Sequence, residues 1–167
     1  MRRLLAPNLV LPHSVTALTA GVMIRHHLRA LILDVDNTLV ADHETLASPA
    51  IVAWVESMRG YPMWLVSNNF NEQRIGAIAQ QLNIPYHCRA AKPSRRRVRQ
   101  AVEALNLPLE SIAMVGDRLL TDTVVGNRLG LFTILVLPPG ATTFQGWRSA
   151  TLRTCERWLA RQVGVSL

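Results

Sequence analysis

Cysteine, lysine and aromatic side chains are scarce in this chain, and each shortage excludes something. The two cysteines, Cys88 and Cys155, have no spacing suited to a zinc site or a disulfide framework. The fold must therefore rest on its apolar core, and a reducing cytosol is the expected compartment. Aromatics make up 5% of the residues. That is too few for a base-stacking platform, so nucleic acid is not an expected partner. No Gly-x4-Gly-Lys-Ser/Thr segment occurs, which excludes a P-loop. No apolar run approaches the roughly 20 residues of a membrane span. Arg2 and Arg3 precede a short apolar run, but Pro7, Asn8 and Pro12 interrupt it and no small-residue cleavage site follows, so no leader is expected. Lysine is the rarest charge. Of 18 basic residues all but Lys92 are arginine.

What is present reads as one domain. The chain has 167 residues, and 49% of them are hydrophobic, enough for a proper core. The formal net charge is +7 and the pI is about 10.9. A balance this basic suggests an anionic partner: a phosphate ester, an acidic lipid or nucleic acid.

The chain is organised around Leu31-Ile-Leu-Asp34-Val-Asp36-Asn-Thr38. The apolar run reads as a buried strand, Ala30 to Asp34, with Asp34 and Asp36 emerging at its carboxyl end. Two carboxylates pressed together are costly unless a cation or a proton lies between them. From there strands and helices alternate. Ser48-Pro49 opens a helix that ends at Gly60. Met63 to Val66 is a second strand, running into Ser67-Asn68-Asn69. A helix covers Asn71 to Leu82, with Ile75, Ile78 and Leu82 on one face. Tyr86 to Cys88 is a short third strand, and Ser94 to Leu105 a helix with Arg95, Arg96, Arg97 and Arg99 largely outward. Ser111 to Val115 is a fourth strand ending at Gly116-Asp117. A helix from Leu120 stops at Gly130, and Phe132 to Leu137 is a fifth strand. The sequence therefore predicts an α/β, Rossmann-like doubly wound, mainly parallel five-stranded sheet with helices on both faces. Three segments are expected. Residues 1–29 form a lead-in with a short helix capped by Ser14, residues 30–140 form the core, and residues 141–167 carry an amphipathic helix. That helix, over 147–162, is expected to pack on the core or lie at a membrane surface, since Arg153, Arg157 and Arg161 recur along it beside Trp158.

Ligands of such sheets bind beyond the carboxyl ends of the strands, where the polar residues cluster. Of five aspartates, Asp34, Asp36, Asp117 and Asp122 fall there. Carboxylates from two strands suit an oxygen-ligated hard cation, best Mg²⁺. A carboxylate can also attack phosphorus, and a second acid can protonate the leaving oxygen and activate water. The Ser67 hydroxyl and the Lys92 ammonium can hold phosphoryl oxygens.

These residues resemble, in order, the four motifs of the haloacid dehalogenase-like (HAD) hydrolases: Asp34-Val-Asp36-Asn-Thr38, Ser67, Lys92-Pro93, and Gly116-Asp117-Arg-Leu-Leu-Thr-Asp122. The resemblance spans residues 30 to about 137. It implies Asp34 as the nucleophile and Asp36 as the general acid/base, with its backbone carbonyl on Mg²⁺. Thr38 would orient Asp36 or shape the loop. Ser67 and Lys92 would bind the phosphoryl group, and Asn68 would assist in substrate binding. Asp34, Asp36 and Asp117 would hold the metal. Asp122 would be either a ligand through water or a partner of Lys92. The acid at Asp36 implies a phosphatase rather than a dehalogenase, and the missing spans exclude an ion pump. The short intervals from Asp36 to Ser67 and from Asn69 to Lys92 leave no room for a cap domain. The site is then open to a bulky or surface-bound substrate, or lidded by a second copy in a homo-oligomer.

Within the uncapped subclass IIIA, the chain resembles the YqeG-like group. Leu33 to Leu39, Ser67-Asn-Asn69, Ala91-Lys-Pro93, Val115 to Asp122 and Gly126-Asn-Arg-Leu-Gly130 carry that likeness. Arg118 stands where a Gln is expected. The group is similar to phosphatidylglycerophosphate phosphatases. This implies an anionic phospholipid substrate and a cytoplasmic protein peripheral on the membrane. The competing expectations are a soluble phosphometabolite, nucleotide or phosphoprotein substrate, and a non-catalytic anion-binding domain.

Overall fold

The computed structural model describes residues 2–141. The expected C-terminal helix at 147–162 lies outside the described residues. In chain order the elements are α1 (Arg2–Leu5), β1 (Leu9–Val10), a 3₁₀ turn (Val15–Ala17), α2 (Ala20–Arg25), β2 (Ala30–Leu33), α3 (Pro49–Ser57), β3 (Met63–Val66), α4 (Glu72–Leu82), β4 (Tyr86–His87), α5 (Arg96–Leu105), a second 3₁₀ turn (Leu109–Ser111), β5 (Ile112–Gly116), a π turn (Leu119–Thr123), α6 (Val124–Leu129) and β6 (Phe132–Leu135). All pairings are parallel and the strand order is β1-β6-β5-β2-β3-β4.

Local chemistry sets the helix limits. The Ser48 hydroxyl accepts from the Ile51 amide and Pro49 fills the first turn of α3. Asn71 caps α4 by accepting from the Arg74 amide. Asn83, Asn106 and Gly130 take the left-handed conformation that ends α4, α5 and α6.

Strand alternation divides the core into two layers. Leu31, Leu33, Leu65 and Val115 face Trp54 and Val55 of α3 and Ile75 and Ile78 of α4. Ala30, Ile32, Ile112 and Met114 face Val98 and Ala101 of α5 and Val125 of α6. The sheet is thus covered on both sides, as a parallel sheet must be. Gly126 permits the close approach of α6, because a Cβ there would lie 2.4 Å from Thr133 Cγ2 and 3.0 Å from Met114 Cβ.

The lead-in departs from expectation. Its Leu9 and Val10 pair with Ile134 and Leu135 as a sixth strand, and Asn8 and Thr133 exchange hydrogen bonds beside it. A two-residue strand flanked by Pro7 and Pro12 is too short to show a period. Ser14 does not cap a helix; its hydroxyl contacts the Thr16 hydroxyl at 2.8 Å, and a 3₁₀ turn precedes α2. A π turn replaces the expected start of the helix at Leu120.

The chain builds β2, β3 and β4 outward on one side, then crosses back so that β5 pairs with the other edge of β2. The carboxyl ends of β2 and β5 therefore flank the switch in winding direction, where open α/β sheets bind ligands. Residues 34–92 are all described, and they hold α3, β3, α4, β4 and their loops with no inserted domain.

Candidate active site

The β2–β5 register pairs Leu33 with Val115, and the Asp34 amide donates to the Val115 carbonyl at 2.9 Å. Asp34 thus leaves its strand beside Gly116, and Asp117 follows at once. Gly116 leaves space for a third acid. A Cβ there would lie 2.4 Å from the Asp122 carboxylate, closer than atoms pack. The π turn delivers Asp122 to that space, and Asp122 Oδ2 accepts from the Arg118 amide at 3.3 Å. Local widening of a helix at a site of function is a common use of a π turn.

Lys92 closes the group. Its Nζ lies 2.7 Å from Asp34 Oδ1 and 2.7 Å from Asp122 Oδ1. Burial alone would lower its pKa, but the Asp122 and Asp34 carboxylates outweigh that and raise it. Lysine therefore stays charged here. Two amide hydrogen bonds position it. The Asn68 side chain accepts from the Lys92 amide at 2.7 Å and donates to the Lys92 carbonyl at 3.1 Å. The Asn68 amide, expected among the substrate-binding groups, thereby engages the Lys92 backbone through one donated and one accepted hydrogen bond.

The three buried carboxylates of Asp34, Asp117 and Asp122 bring one oxygen each within 4.8 Å of one another. Burial, above all, pushes Asp34 up to about 6, helped by Asp122 and opposed by Lys92. Burial also raises Asp117 well above the usual carboxylate range, with the charges of Asp34 and Asp122 adding to it. Asp117 Oδ1 is buried with no hydrogen-bond donor among the described residues, and Arg118 Nε lies 3.8 Å from it. An all-oxygen donor set, an excess of negative charge and an orphaned carboxylate oxygen fit a hard divalent cation. Arg118 is itself held above its usual pKa. Burial opposes this and Asp117 and Asp34 prevail.

Asp36 points elsewhere. Its Oδ1 accepts from Arg74 Nη1, and its Oδ2 from the Ser67 hydroxyl at 3.1 Å and the Asn69 side-chain Nδ2 at 3.2 Å. Its carboxylate is thus outside the three-aspartate group. Ser67 is fully buried, and its Oγ also accepts from the Asn69 amide nitrogen at 2.9 Å. Thr38 is fully buried with no partner for its hydroxyl among the described residues. It sits in a tight loop in which Asn37, at φ 58°, turns the chain and the Val35 carbonyl receives the Thr38, Leu39 and Val40 amides.

Sequence reasoning missed Arg74. It is 8% exposed. Besides Asp36 it donates to the Glu44 carbonyl at 2.7 Å and the Ala41 carbonyl at 3.0 Å. One guanidinium thus holds both the Asp36 carboxylate and the loop over it. The available signal was its place in the first turn of α4, where the helix dipole disfavours a cation. A basic residue there calls for an anion nearby.

Comparison with known proteins agrees with this geometry. A family model described as HAD-hydrolase-like matches residues 89–143. The "Probable phosphatase YqeG" of Bacillus subtilis (strain 168) is 40% identical over 114 residues, which cover 67% of this chain and 66% of the relative. The "Phosphatidylglycerophosphate phosphatase 1, chloroplastic" of Chlamydomonas reinhardtii is 30% identical over 145 residues, covering 80% of this chain and 53% of the relative. The chain thus spans just under two thirds of the first relative's length and about half of the second's. The crystal structure of an uncharacterised protein from Listeria monocytogenes serotype 4b shares the fold, with a TM-score of 0.54, 18% identity, and coverage of 65% of this chain and 78% of that one. With its parallel sheet, its acids at the switch in winding direction and these relatives, the chain belongs to the haloacid dehalogenase-like hydrolases.

Proposed function

We propose that the protein is a Mg²⁺-dependent phosphomonoester hydrolase working through an aspartyl-phosphate, with a phosphatidylglycerophosphate-type lipid as its substrate. One observation carries the reading: Lys92 Nζ and three buried carboxylates converge on one point at the carboxyl ends of β2 and β5. A buried ammonium amid acids is the arrangement that receives a phosphoryl group and keeps the nucleophile ionised. The names of the two curated relatives support phosphatase chemistry, and the second supports the lipid.

In this reading an Asp34 carboxylate oxygen attacks phosphorus, and the bond to the leaving alkoxide breaks as the new bond forms. Asp36 would serve as the general acid by leaving its Arg74 contact and passing a proton to that alkoxide. Asp36 then takes a proton from water, whose oxygen attacks the acyl phosphate and releases inorganic phosphate with Asp34 restored. Lys92 holds phosphoryl oxygens throughout, and the Ser67 hydroxyl would join it by turning from Asp36 Oδ2. Asp34, Asp117, the Asp36 carbonyl and the region of Asp122 would hold Mg²⁺, which supplies charge neutralisation for the phosphoryl oxygens and the attacking carboxylate. Arg74 keeps the Asp36 carboxylate oriented.

The test is phosphate release by the full chain with and without Mg²⁺, on lipid in liposomes and on soluble sugar phosphates. Release should require Mg²⁺, should favour the lipid, and should fall by at least 1,000-fold, about 4 kcal/mol, in Asp34→Asn. Activity surviving Asp34→Asn would reject the covalent route. A preference for sugar phosphates would reject the lipid.

A further inference from the structure

The strongest charge concentration outside the site lies just beyond Lys92. α5 begins with Arg95 as its N-cap residue, followed by Arg96, Arg97 and Arg99. It has no acid in its first turn and no side-chain cap. Each of these placements is locally unfavourable. Cations sit at the positive end of the helix dipole. Arg95 and Arg99, four residues apart, face each other, as do Arg96 and Arg99, three apart. From α6, Arg128 reaches across and donates to the Pro93 carbonyl at 3.0 Å, the residue after Lys92. Between these side chains runs a groove of about 460 Å³, whose lining includes Arg95, Arg96, Arg99 and Arg128 and a single acid, Glu103. Arg95, Arg96 and Arg99 are all solvent-exposed.

A second feature lies at the same end of the sheet. Phe70 is 77% exposed. Its loop is fastened to the segment that leads into α5. The Asn69 carbonyl accepts from the Arg89 amide at 3.0 Å, and Asn68 grips the Lys92 backbone on both sides. The exposed phenyl ring therefore stands on a loop tied to the segment that leads into α5, and the basic groove begins where that segment ends and runs along α5 beside Arg128 of α6.

We propose that the α5 groove and Phe70 form a docking surface for an anionic phospholipid bilayer. Lipid phosphates would occupy the groove and Phe70 would enter the boundary between headgroups and acyl chains. Charge complementarity selects an anionic partner. The exposed phenyl ring selects a bilayer over a nucleic acid, since one aromatic offers no base-stacking platform. This deepens the proposed function, because it names the surface that would present a lipid phosphate to the open site.

The experiment is co-sedimentation of the full chain with phosphatidylcholine vesicles and with vesicles containing phosphatidylglycerol. Turnover of a soluble aryl phosphate is measured in parallel without vesicles. The wild type should bind the anionic vesicles, release them as salt rises, and ignore phosphatidylcholine. Replacing Arg95, Arg96 and Arg99 together by Gln should weaken binding roughly a hundredfold, at about fivefold for each arginine near a charged surface. Turnover of the aryl phosphate should stay within twofold. Phe70→Ser should weaken binding without changing its salt slope. Circular dichroism checks that each variant folds. Wild-type binding by the triple variant overturns the proposal, as does displacement of the protein from vesicles by duplex RNA at equal phosphate concentration. The two readings fail separately. A chain that binds vesicles through these arginines without hydrolysing any phosphate keeps the docking surface and loses the phosphatase. A chain that hydrolyses the aryl phosphate and binds no vesicle does the reverse.

Discussion

Replacing Arg74 by Met should destabilise the fold by about 3 kcal/mol, and the reason lies in what the guanidinium leaves behind. Its side chain and that of Asp36 are 7% and 12% exposed. Methionine fills the space of the stem but removes three donated contacts, to Asp36, Glu44 and Ala41. The two carbonyls belong to a surface loop in which Glu44 is exposed, so water can replace those donors. The carboxylate cannot escape. Breaking one side of a buried ion pair costs about 3–5 kcal/mol. Ser67 and Asn69 still donate to Asp36 Oδ2, which favours the lower end. Against a typical total of roughly 5–15 kcal/mol that is a large share. With a urea slope of about 2 kcal/mol/M the midpoint should fall by roughly 1.5 M. The decisive arm is the double change. Adding Asp36→Asn to Arg74→Met removes the stranded charge and should recover at least 1 kcal/mol. A loss below 1 kcal/mol for the single change would refute the argument, and so would an Asp36→Asn penalty that simply adds.

Three further outcomes follow from the site. Gly116→Ala should displace Asp122 from Lys92, because the backbone of β5 is held by strands on both sides. It should cost about 1–3 kcal/mol as an overpacking change and lower turnover at least tenfold, read by thermal melts and phosphate release. Gly126→Ala meets an equally short contact at Thr133 but away from the acids, so it should lower the melting temperature and leave the turnover of the surviving folded protein within twofold. With divalent cations chelated, stability should fall as pH rises from about 4 to 6. Asp34 holds its proton up to about 6 in the fold, from 3.8 as its ordinary value, so the folded state binds more protons across that window. Its contribution is fully present below about 4, and it amounts to at most about 3 kcal/mol. Mg²⁺ should flatten the slope by replacing the proton. A melting temperature in chelator that rises across this window relative to the Mg²⁺ sample would refute the account.

The sheet was legible in the sequence because its central strands are buried on both faces and read as continuous apolar runs, Leu31 to Leu33 and Ile112 to Val115. The polar residues that end them stand out for the same reason. Asp34 and Ser67 follow such a run directly, and Asp117 follows one after Gly116. Two short features carried no signal. Leu9 and Val10 are too few to show alternation, and a π turn at Leu119–Thr123 has side-chain spacing close to that of the α-helix expected there. Arg74 was hidden by a general expectation, since a charge on a helix is normally solvated and only tertiary packing brings Asp36 to it. Asn68 follows Ser67 and invites a role in binding, and the structure adds that its amide donates one hydrogen bond to the Lys92 backbone and accepts one from it.

The crossing of the chain from β4 back to β5 has a consequence for birth on the ribosome. The middle of the sheet is built last. Residues 30–33 wait for residues 112–115 to emerge before β2 has both neighbours, and β1 waits longer still for β6. Local hairpins cannot bridge the delay, because every pairing is parallel and requires long loop closure. A nascent chain halted before β5 therefore displays the bare edge of the apolar strand β2, with Asp34 and its acid partners not yet assembled. Such an edge is a template for the wrong strand. The arrangement that gathers the acids at one point also makes early release of the chain hazardous, and slow emergence of residues 100–120 should show up as aggregation rather than as a partly active enzyme.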